Sequence, residues 1–495
     1  MRIVYIDIDS CRPDHLGCYG YQRRTSPVID MLASQGVRFQ NCHTSDAPCL
    51  PSRAALFSGR FGINNGVTCH LGPASQLRYA GRGHTHDPIR PMWMQCLQQN
   101  GWETVCFSGF GQRHLAWWFS IGFTHYFGNQ LPGGSETAAE VNEKVIEWLR
   151  SNGTLDNWFL HINYWDVHHP YAVPLDYFER VQGMPGSTYP DATMITHDVE
   201  TFYGPRTARD WWFETNWQNP QKGRTARMPR GNPDTFENYM GFVDGHDAGI
   251  AYVDERIGNI LEELQRLGVH EETAIIISGD HGESIGELGM YFEHGNACEG
   301  TTHVPLIICW PGVTKAGQVI DSLLYQLDLA PTVLELLGLT IPSGWDGISY
   351  AGALRGETTQ ARDHLVMGAG IYSYQRAIRT QQYRLIRTMH SGLYPYDPLY
   401  LFDMSHDPCQ TTNLAETHPT VVSELDHMLL EWLWHFTTGP AGVRDPFQEQ
   451  LRIGVDPDLY CPRHIIEQRL MDLGRDDQLA DLHHRRDQSP PLRPW

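Results

Sequence analysis

The 495-residue sequence contains no run approaching 18 apolar residues, which excludes a membrane-spanning helix. Basic residues are scarce: 37 Lys and Arg stand against 58 Asp and Glu, a formal charge of -21. That balance argues against electrostatic binding to nucleic acid or to an anionic membrane. An anionic substrate would need a local cationic site working against this background. No Cys-x-x-Cys occurs among the 11 cysteines, which argues against a zinc ribbon or a thioredoxin-type site. An odd count in so long a chain is not a disulfide scaffold. The start, Met1-Arg2-Ile3-Val4-Tyr5-Ile6-Asp7, lacks the apolar stretch and cleavage site of a secretory signal, so a cytoplasmic protein is expected. There is no internal repeat. With 47 Gly and 31 Pro the chain is loop-rich without being disordered, and 41% hydrophobic residues suffice for a large core.

What is present alternates between two periodicities. Arg2 to Ile8 is a β-branched run passing into Asp9 and Ser10, which reads as a buried strand delivering polar side chains at its C-terminal end. Thr104 to Ser108, Trp158 to Asn163 and Thr273 to Ser278 read as further strands, and Ser26 to Phe39 as a helix with a return strand. Ala138, Val141, Val145, Trp148 and Leu149 recur at helical spacing before Gly153. Ile250, Val253, Ile257, Leu261 and Leu264 do so before Gly268. Asp328 is placed to cap a helix with Pro331 in its first turn and Gly338 at its end.

Strands alternating with helices predict an α/β fold: a mostly parallel sheet covered on both faces, with ligands beyond the carboxyl ends of the strands. Asp9, His168 and Asp280 each follow a strand, so they can converge at one edge. From about residue 360 the pattern becomes antiparallel. Ala377 to Thr380 and Tyr383 to Arg387 form a hairpin across Gln381-Gln382, followed by Leu401-Phe402-Asp403 and a helix from about Pro419 to Trp434. The expected organisation is a catalytic domain over 1–359, a small C-terminal α+β domain over 360–440 and an extended tail over 441–495, suited to docking in a homo-oligomer. An insertion at about 185–235 carries Trp211, Trp212 and Trp217, which can stack on an aryl group or a sugar ring.

Residues 49–60 decide the chemistry. They read Cys49-Leu50-Pro51-Ser52-Arg53-Ala54-Ala55-Leu56-Phe57-Ser58-Gly59-Arg60. Chance alone would supply Cys-x-Pro-x-Arg in this composition under about 0.05 times. The segment resembles the signature of the type I sulfatases, Cys-x-Pro-Ser-Arg followed by Gly-Arg. The resemblance implies an alkaline-phosphatase-like fold, with a large mixed, mostly parallel sheet between helices. It also implies that a maturation enzyme oxidises Cys49 to Cα-formylglycine. A hydrated aldehyde carries two hydroxyls on one carbon: one can attack sulfur, and the other, once deprotonated, can expel sulfate and restore the aldehyde. Arg53 is suited to hold the hydrate by a charge-assisted hydrogen bond.

Other segments extend the resemblance. Asp9-Ser10 before Leu16-Gly17-Cys18-Tyr19-Gly20 is similar to the family's first metal segment, with Ser10 in place of a second Asp. Asp7 shares the strand face of Asp9, further from its end. Ser278-Gly279-Asp280-His281-Gly282-Glu283 resembles the second metal segment; its Asp280 and His281, with Asp9 and Cys49, are the implied ligands. Calcium or manganese is the implied ion, the imidazole shifting preference toward manganese. Gly111-Gln112-Arg113-His114-Leu115 matches Gly-Lys-Trp-His-Leu, placing His114 on the hydrate and Gln112 on a sulfate-binding lysine. His168, in Asp166-Val167-His168-His169-Pro170, falls on the histidine that protonates the leaving oxygen, with His169 as the alternative. His294, nine residues before His303-Val304-Pro305, falls on a second anion-binding lysine. The reading is a sulfuric ester hydrolase acting on a small sulfated substrate. The alternatives are a phosphonate monoester or phosphodiester hydrolase of the same superfamily, a non-catalytic binder and a cysteine-thiolate enzyme.

Overall fold

A computed structural model describes residues 1–70, 72–78, 90–128, 136–171, 173–211, 231–357, 361–438, 442–453 and 463–487. Trp212 and Trp217 lie outside the described residues. An eight-stranded sheet forms the centre, in the order Gln318–Tyr325, Val37–His43, Leu306–Cys309, Thr273–Gly279, Arg2–Ile8, Trp158–Tyr164, Glu103–Phe107 and His125–Tyr126. Leu306–Cys309 runs antiparallel to both its neighbours, and every other pairing is parallel. The sheet is therefore mixed and mostly parallel, as its sequence pattern predicts.

Alternate residues of each central strand supply two separate cores. Ile3, Tyr5, Phe159 and Ile276 pack on one face under the helices Trp93–Gln99 and Leu329–Leu336. Val4, Ile6, Leu160, Ile162 and Ile277 pack on the other under Ala138–Asn152 and Phe236–Arg266. Burial on both faces explains why these strands read as continuous apolar runs rather than alternating ones.

The Phe236–Arg266 helix is 31 residues long and begins well before the periodic stretch at Ile250. Glycines hide its first half. A Cβ at Gly249 would meet the Asp166 carbonyl oxygen at 2.7 Å, and one at Gly245 would meet Tyr171 at 2.9 Å. These positions let the 166–171 loop press directly on the helix backbone. Asp328 stands before the Leu329–Leu336 helix without capping it. Its carboxylate instead accepts from the backbone N–H of Tyr325 (2.9 Å) and Ile348 (2.7 Å), and it pairs with Arg362 (2.6 Å).

The second sheet is antiparallel over Leu365–Gly370, Tyr374–Arg379, Tyr383–His390 and Leu399–Asp403, with the Pro419–Thr437 helix against it. Its edge is completed from far upstream: Asp46–Ala47 pairs in parallel with Gly368 and Ala369. The 441–495 segment, extended by its sequence, carries helices Pro446–Ile453, Arg463–Asp472 and Asp476–Asp487. They pack within the same chain. Ile466, Leu470 and Leu482 bury Tyr203, whose hydroxyl donates to Asp481 (2.6 Å), and Arg469 pairs with Asp210 (3.1 Å). The 185–235 segment contributes the helix Ala192–Thr201, capped by Asp191. No described helix is long and apolar enough to cross a membrane.

Candidate active site

The carboxyl ends of the four central parallel strands deliver the polar residues. Asp7 closes the Arg2–Ile8 strand beside Asn163 and Ser278, Asp9 follows it, and Asp280 follows Thr273–Gly279. Ser10 takes a left-handed backbone (φ 57°). Its N–H donates to Asp280 (3.2 Å) and its hydroxyl to Asp9 (3.2 Å). All four residues are buried.

Arg53 ties the carboxylates together from below. Its Nε and Nη2 hold Asp7 at 2.8 and 3.1 Å, while Nη1 lies 2.5 Å from Asp280 and 3.1 Å from Asp9. Burial raises Asp7, but Arg53 and His161 outweigh it and hold that carboxyl below the usual range. Burial also raises Asp280, and there it prevails over Arg53, with Asp9 adding to it.

Arg53 sits one turn along the Cys49–Ser58 helix. Cys49 is the first residue of that helix, where unpaired backbone N–H groups favour negative charge. Its Sγ lies 3.0 Å from His281 Nε2. Ser52 anchors the same turn by donating to the Asp280 carbonyl oxygen (2.6 Å). Burial, with Asp9 and Asp280 adding to it, pushes the Cys49 thiol well above its ordinary value.

Histidines form the remaining wall. His294 packs against His281 with ring centroids 4.3 Å apart and planes tilted by 35°, and His168 lies 5.0 Å from His294. Trp165 backs His168 at 3.7 Å. Burial, reinforced by neighbouring histidines, pushes His168 well below the ordinary imidazole range, and burial does the same to His294 against the opposing pull of Glu293. Burial does the same to His114, helped by His70 and Arg113.

The structure thus gathers Asp9, Cys49, Arg53, Asp280 and His281 at one point, with His168 and His294 against them. His114 approaches through His70: their rings are 4.9 Å apart, and His70 Nε2 accepts from the Leu50 N–H (3.3 Å). Gln112 is exposed, and its side-chain oxygen accepts from the Tyr126 hydroxyl (3.2 Å). The cation that this segment sends inward is the next residue. Arg113 Nη2 lies 3.8 Å from Asp9, and its guanidinium lies flat over Trp165 at 3.5 Å. Both its Nη atoms are buried without a hydrogen-bond partner. The sequence pattern misses Arg113 because the matching segment carries its cation one place earlier. It misses His70 because no motif surrounds it.

The residues present fit a divalent cation. Asp9, Cys49, Asp280 and His281 each offer a ligand atom, all within 4.8 Å of one another. Asp9 Oδ2 is buried without a hydrogen-bond partner. Four carboxylates (Asp7, Asp9, Asp280 and Glu136) face two guanidiniums (Arg53 and Arg113), leaving two negative charges over. Carboxylate oxygens with one imidazole suit a hard or borderline ion. Asp7 is already engaged by Arg53 and His161, and the Ser10 hydroxyl by Asp9.

Acidic strand tips thus face a helix-borne Cys49. Comparison with known proteins gives the class. The chain belongs to the sulfatase family: the Sulfatase family model matches residues 2–339, and the model "N-sulphoglucosamine sulphohydrolase, C-terminal" matches residues 286–435. It is a hydrolase of sulfate esters. Choline-sulfatase of Rhizobium meliloti (strain 1021) is 26% identical over 428 residues, covering 79% of this chain and 78% of the relative. The ulvan-active sulfatase of Formosa agariphila is 25% identical over 461 residues, covering 86% and 80%. Among solved structures, the phosphonate monoester hydrolase of Agrobacterium radiobacter superposes with a TM-score of 0.68 at 20% identity, covering 87% of this chain and 95% of that one. A protein in complex with its substrate D-glucosamine-2-N,6-O-disulfate gives 0.67 at 20% identity, covering 87% and 97%. The structural likenesses show the fold.

Proposed function

We propose that the chain hydrolyses sulfate monoesters of sugars through a Cα-formylglycine at position 49. The observation that carries the reading is the seat of Cys49: a helix N-terminus, 3.0 Å from His281, among Asp9, Asp280 and Arg53.

The Sγ position marks where one hydroxyl of the hydrated aldehyde would sit. That hydroxyl passes its proton to the neighbouring Asp9–Asp280 carboxylates as its oxygen attacks sulfur, and the bond from sulfur to the ester oxygen breaks. His168, protonated once the anionic substrate is bound, gives the departing alcohol its Nε2 proton and returns to the neutral form. The second hydroxyl passes its proton to His114, the carbon–oxygen bond to sulfate breaks, and the aldehyde is restored; water then rehydrates it. Arg53 holds the hydrate, and Arg113 and His294 face the sulfate oxygens, with Gln112 at the outer rim. A divalent cation, calcium or manganese, held by Asp9, Asp280 and His281, would neutralise sulfate charge. Sugar sulfates are supported by the relatives that include an N-acetylglucosamine-6-O-sulfatase and by the glucosamine-disulfate complex.

Mass spectrometry of the peptide containing position 49 tests the reading, because conversion of thiol to aldehyde removes about 18 Da. The expected result is that mass loss together with sulfate release from sugar sulfates, exceeding phosphonate monoester turnover on one preparation. Full sulfate release by protein bearing an unmodified thiol would refute it. Chelation is expected to remove activity, and calcium or manganese to restore it.

A further inference from the structure

The tip of the Arg2–Ile8 strand turns on Ser10, a non-glycine residue in the left-handed region (φ 57°). Such a backbone persists only where its neighbours hold it. Each polar group of Ser10 is engaged. Its N–H donates to Asp280 Oδ1 (3.2 Å), its hydroxyl donates to Asp9 Oδ1 (3.2 Å), and its carbonyl oxygen accepts from His246 Nε2 (3.3 Å). The first two bonds set Asp9 and Asp280 relative to each other. The third comes from outside the cluster, from the middle of the Phe236–Arg266 helix. A carbonyl oxygen only accepts, so Nε2 carries the His246 proton. The buried His246 ring meets His15 edge to face (centroids 4.8 Å apart, planes at 78°) and Tyr171 likewise (6.0 Å, 82°). His15 is itself tied to the same helix, its Nδ1 2.6 Å from Asp247 Oδ1. The other oxygen of Asp247 accepts from the Tyr21 hydroxyl (2.6 Å) and from Arg23 (2.8 Å). One helix thus grips the chain after the strand tip at residues 10, 15, 21 and 23.

We propose that His246 is a positioning residue for the divalent cation: by holding the Ser10 carbonyl it keeps the left-handed turn that presents Asp9 and Asp280 to one ion. It acts through Ser10 and not as a ligand, its nitrogens grouping with His15 and Asp247 rather than with the Asp9 cluster. Without this donor a buried carbonyl is orphaned, and the turn relaxes toward the backbone regions that L residues prefer. The Ser10 N–H then swings away from Asp280, and the two carboxylates lose their common orientation. Hydrogen-bond partners that orient metal ligands hold about 10–100-fold of metal affinity, and the same scale applies to His246. The inference rests on the assignment of a cation to Asp9, Asp280 and His281, and not on ester hydrolysis.

Manganese titration of the full chain tests the role, read from the paramagnetic resonance of the free ion, which falls as the ion binds. Wild-type protein is expected to take up a tight equivalent that Asp280→Asn abolishes. His246→Leu should weaken it about 10–100-fold. His246→Gln places an amide N–H where Nε2 stood and should recover most of that loss. His246→Asn, whose amide reaches no further than the Nδ1 position, should not. Circular dichroism and the thermal midpoint of the ion-free proteins check the fold, and if His246→Leu does not fold the Gln and Asn variants decide. Wild-type affinity in His246→Leu, equal affinities in the Gln and Asn variants, or no tight equivalent in wild type overturns the proposal. The expected pattern in formylglycine-containing protein that never releases sulfate upholds the positioning role and refutes the hydrolytic reading instead. Sulfate release with unchanged ion affinity in every His246 variant refutes the positioning role alone.

Discussion

The two halves of the active site are built on opposite electrostatic plans. On the carboxylate side, Asp7, Asp9 and Asp280 surround one buried guanidinium, and charge is excess. On the histidine side, burial disfavours the charged form of His114, His168 and His294. The first plan suits a cation and an anionic transition state. The second suits proton transfer, which needs a group able to change its charge during the reaction. Both halves hang on one sheet edge, but different forces define them: salt bridges on one side, desolvation on the other.

Substitutions can break that division. Cys49→Ala is expected to have the largest effect, lowering sulfate release by at least about 10³-fold while the thermal midpoint stays near wild type. Wild-type turnover would remove position 49 from the chemistry. His168→Ala comes next. It should cost about 10²–10⁴-fold on alkyl or sugar sulfates and far less on nitrophenyl sulfate, whose leaving group needs no proton. Equal losses on both would take the acid role from His168. Arg113→Ala should lower kcat/KM by about 10²–10³-fold, whereas Gln112→Ala should stay close to wild type. The reverse order would restore the sulfate contact to position 112.

The smallest effect concerns pH. Burial, then His281 and Arg113, pushes His70 down to about 3, against an unfolded value of about 6.5. The unfolded chain therefore takes a proton that the folded chain refuses. The stability contribution is complete above about pH 6.5 and is lost as pH falls toward the folded value, at up to about 1.4 kcal/mol per pH unit. Denaturant unfolding at pH about 7 and about 5 should show His70→Asn losing less stability on acidification than wild type. Equal loss would show that His70 is not among the desolvated groups.

The sequence exposes these regions unequally. Asp9, Cys49, Asp280 and His281 are legible because each sits in a short local pattern, a strand tip or a helix start, that the chain cannot easily disguise. Arg113 is hidden because its role depends on which of two adjacent side chains turns inward, and Trp165, distant in sequence, decides that by stacking on it. The first half of the Phe236–Arg266 helix is hidden by Gly245 and Gly249, whose purpose is close contact with the 166–171 loop rather than helix formation. The C-terminal helices are hidden for want of apolar periodicity: Arg463–Asp472 buries only Ile466 and Leu470. The sheet itself was plain, since two buried faces demand unbroken apolar strands.

The short pairing of Asp46–Ala47 with Gly368 and Ala369 sets a clock on the segment that carries Cys49. The stretch just before Cys49 finds its strand partner only in chain that the ribosome makes much later. Once that partner arrives, Cys49 is sealed at 1% exposure. An agent that needs the extended segment around this thiol therefore finds it most open on the nascent chain, before residues 368 and 369 are made.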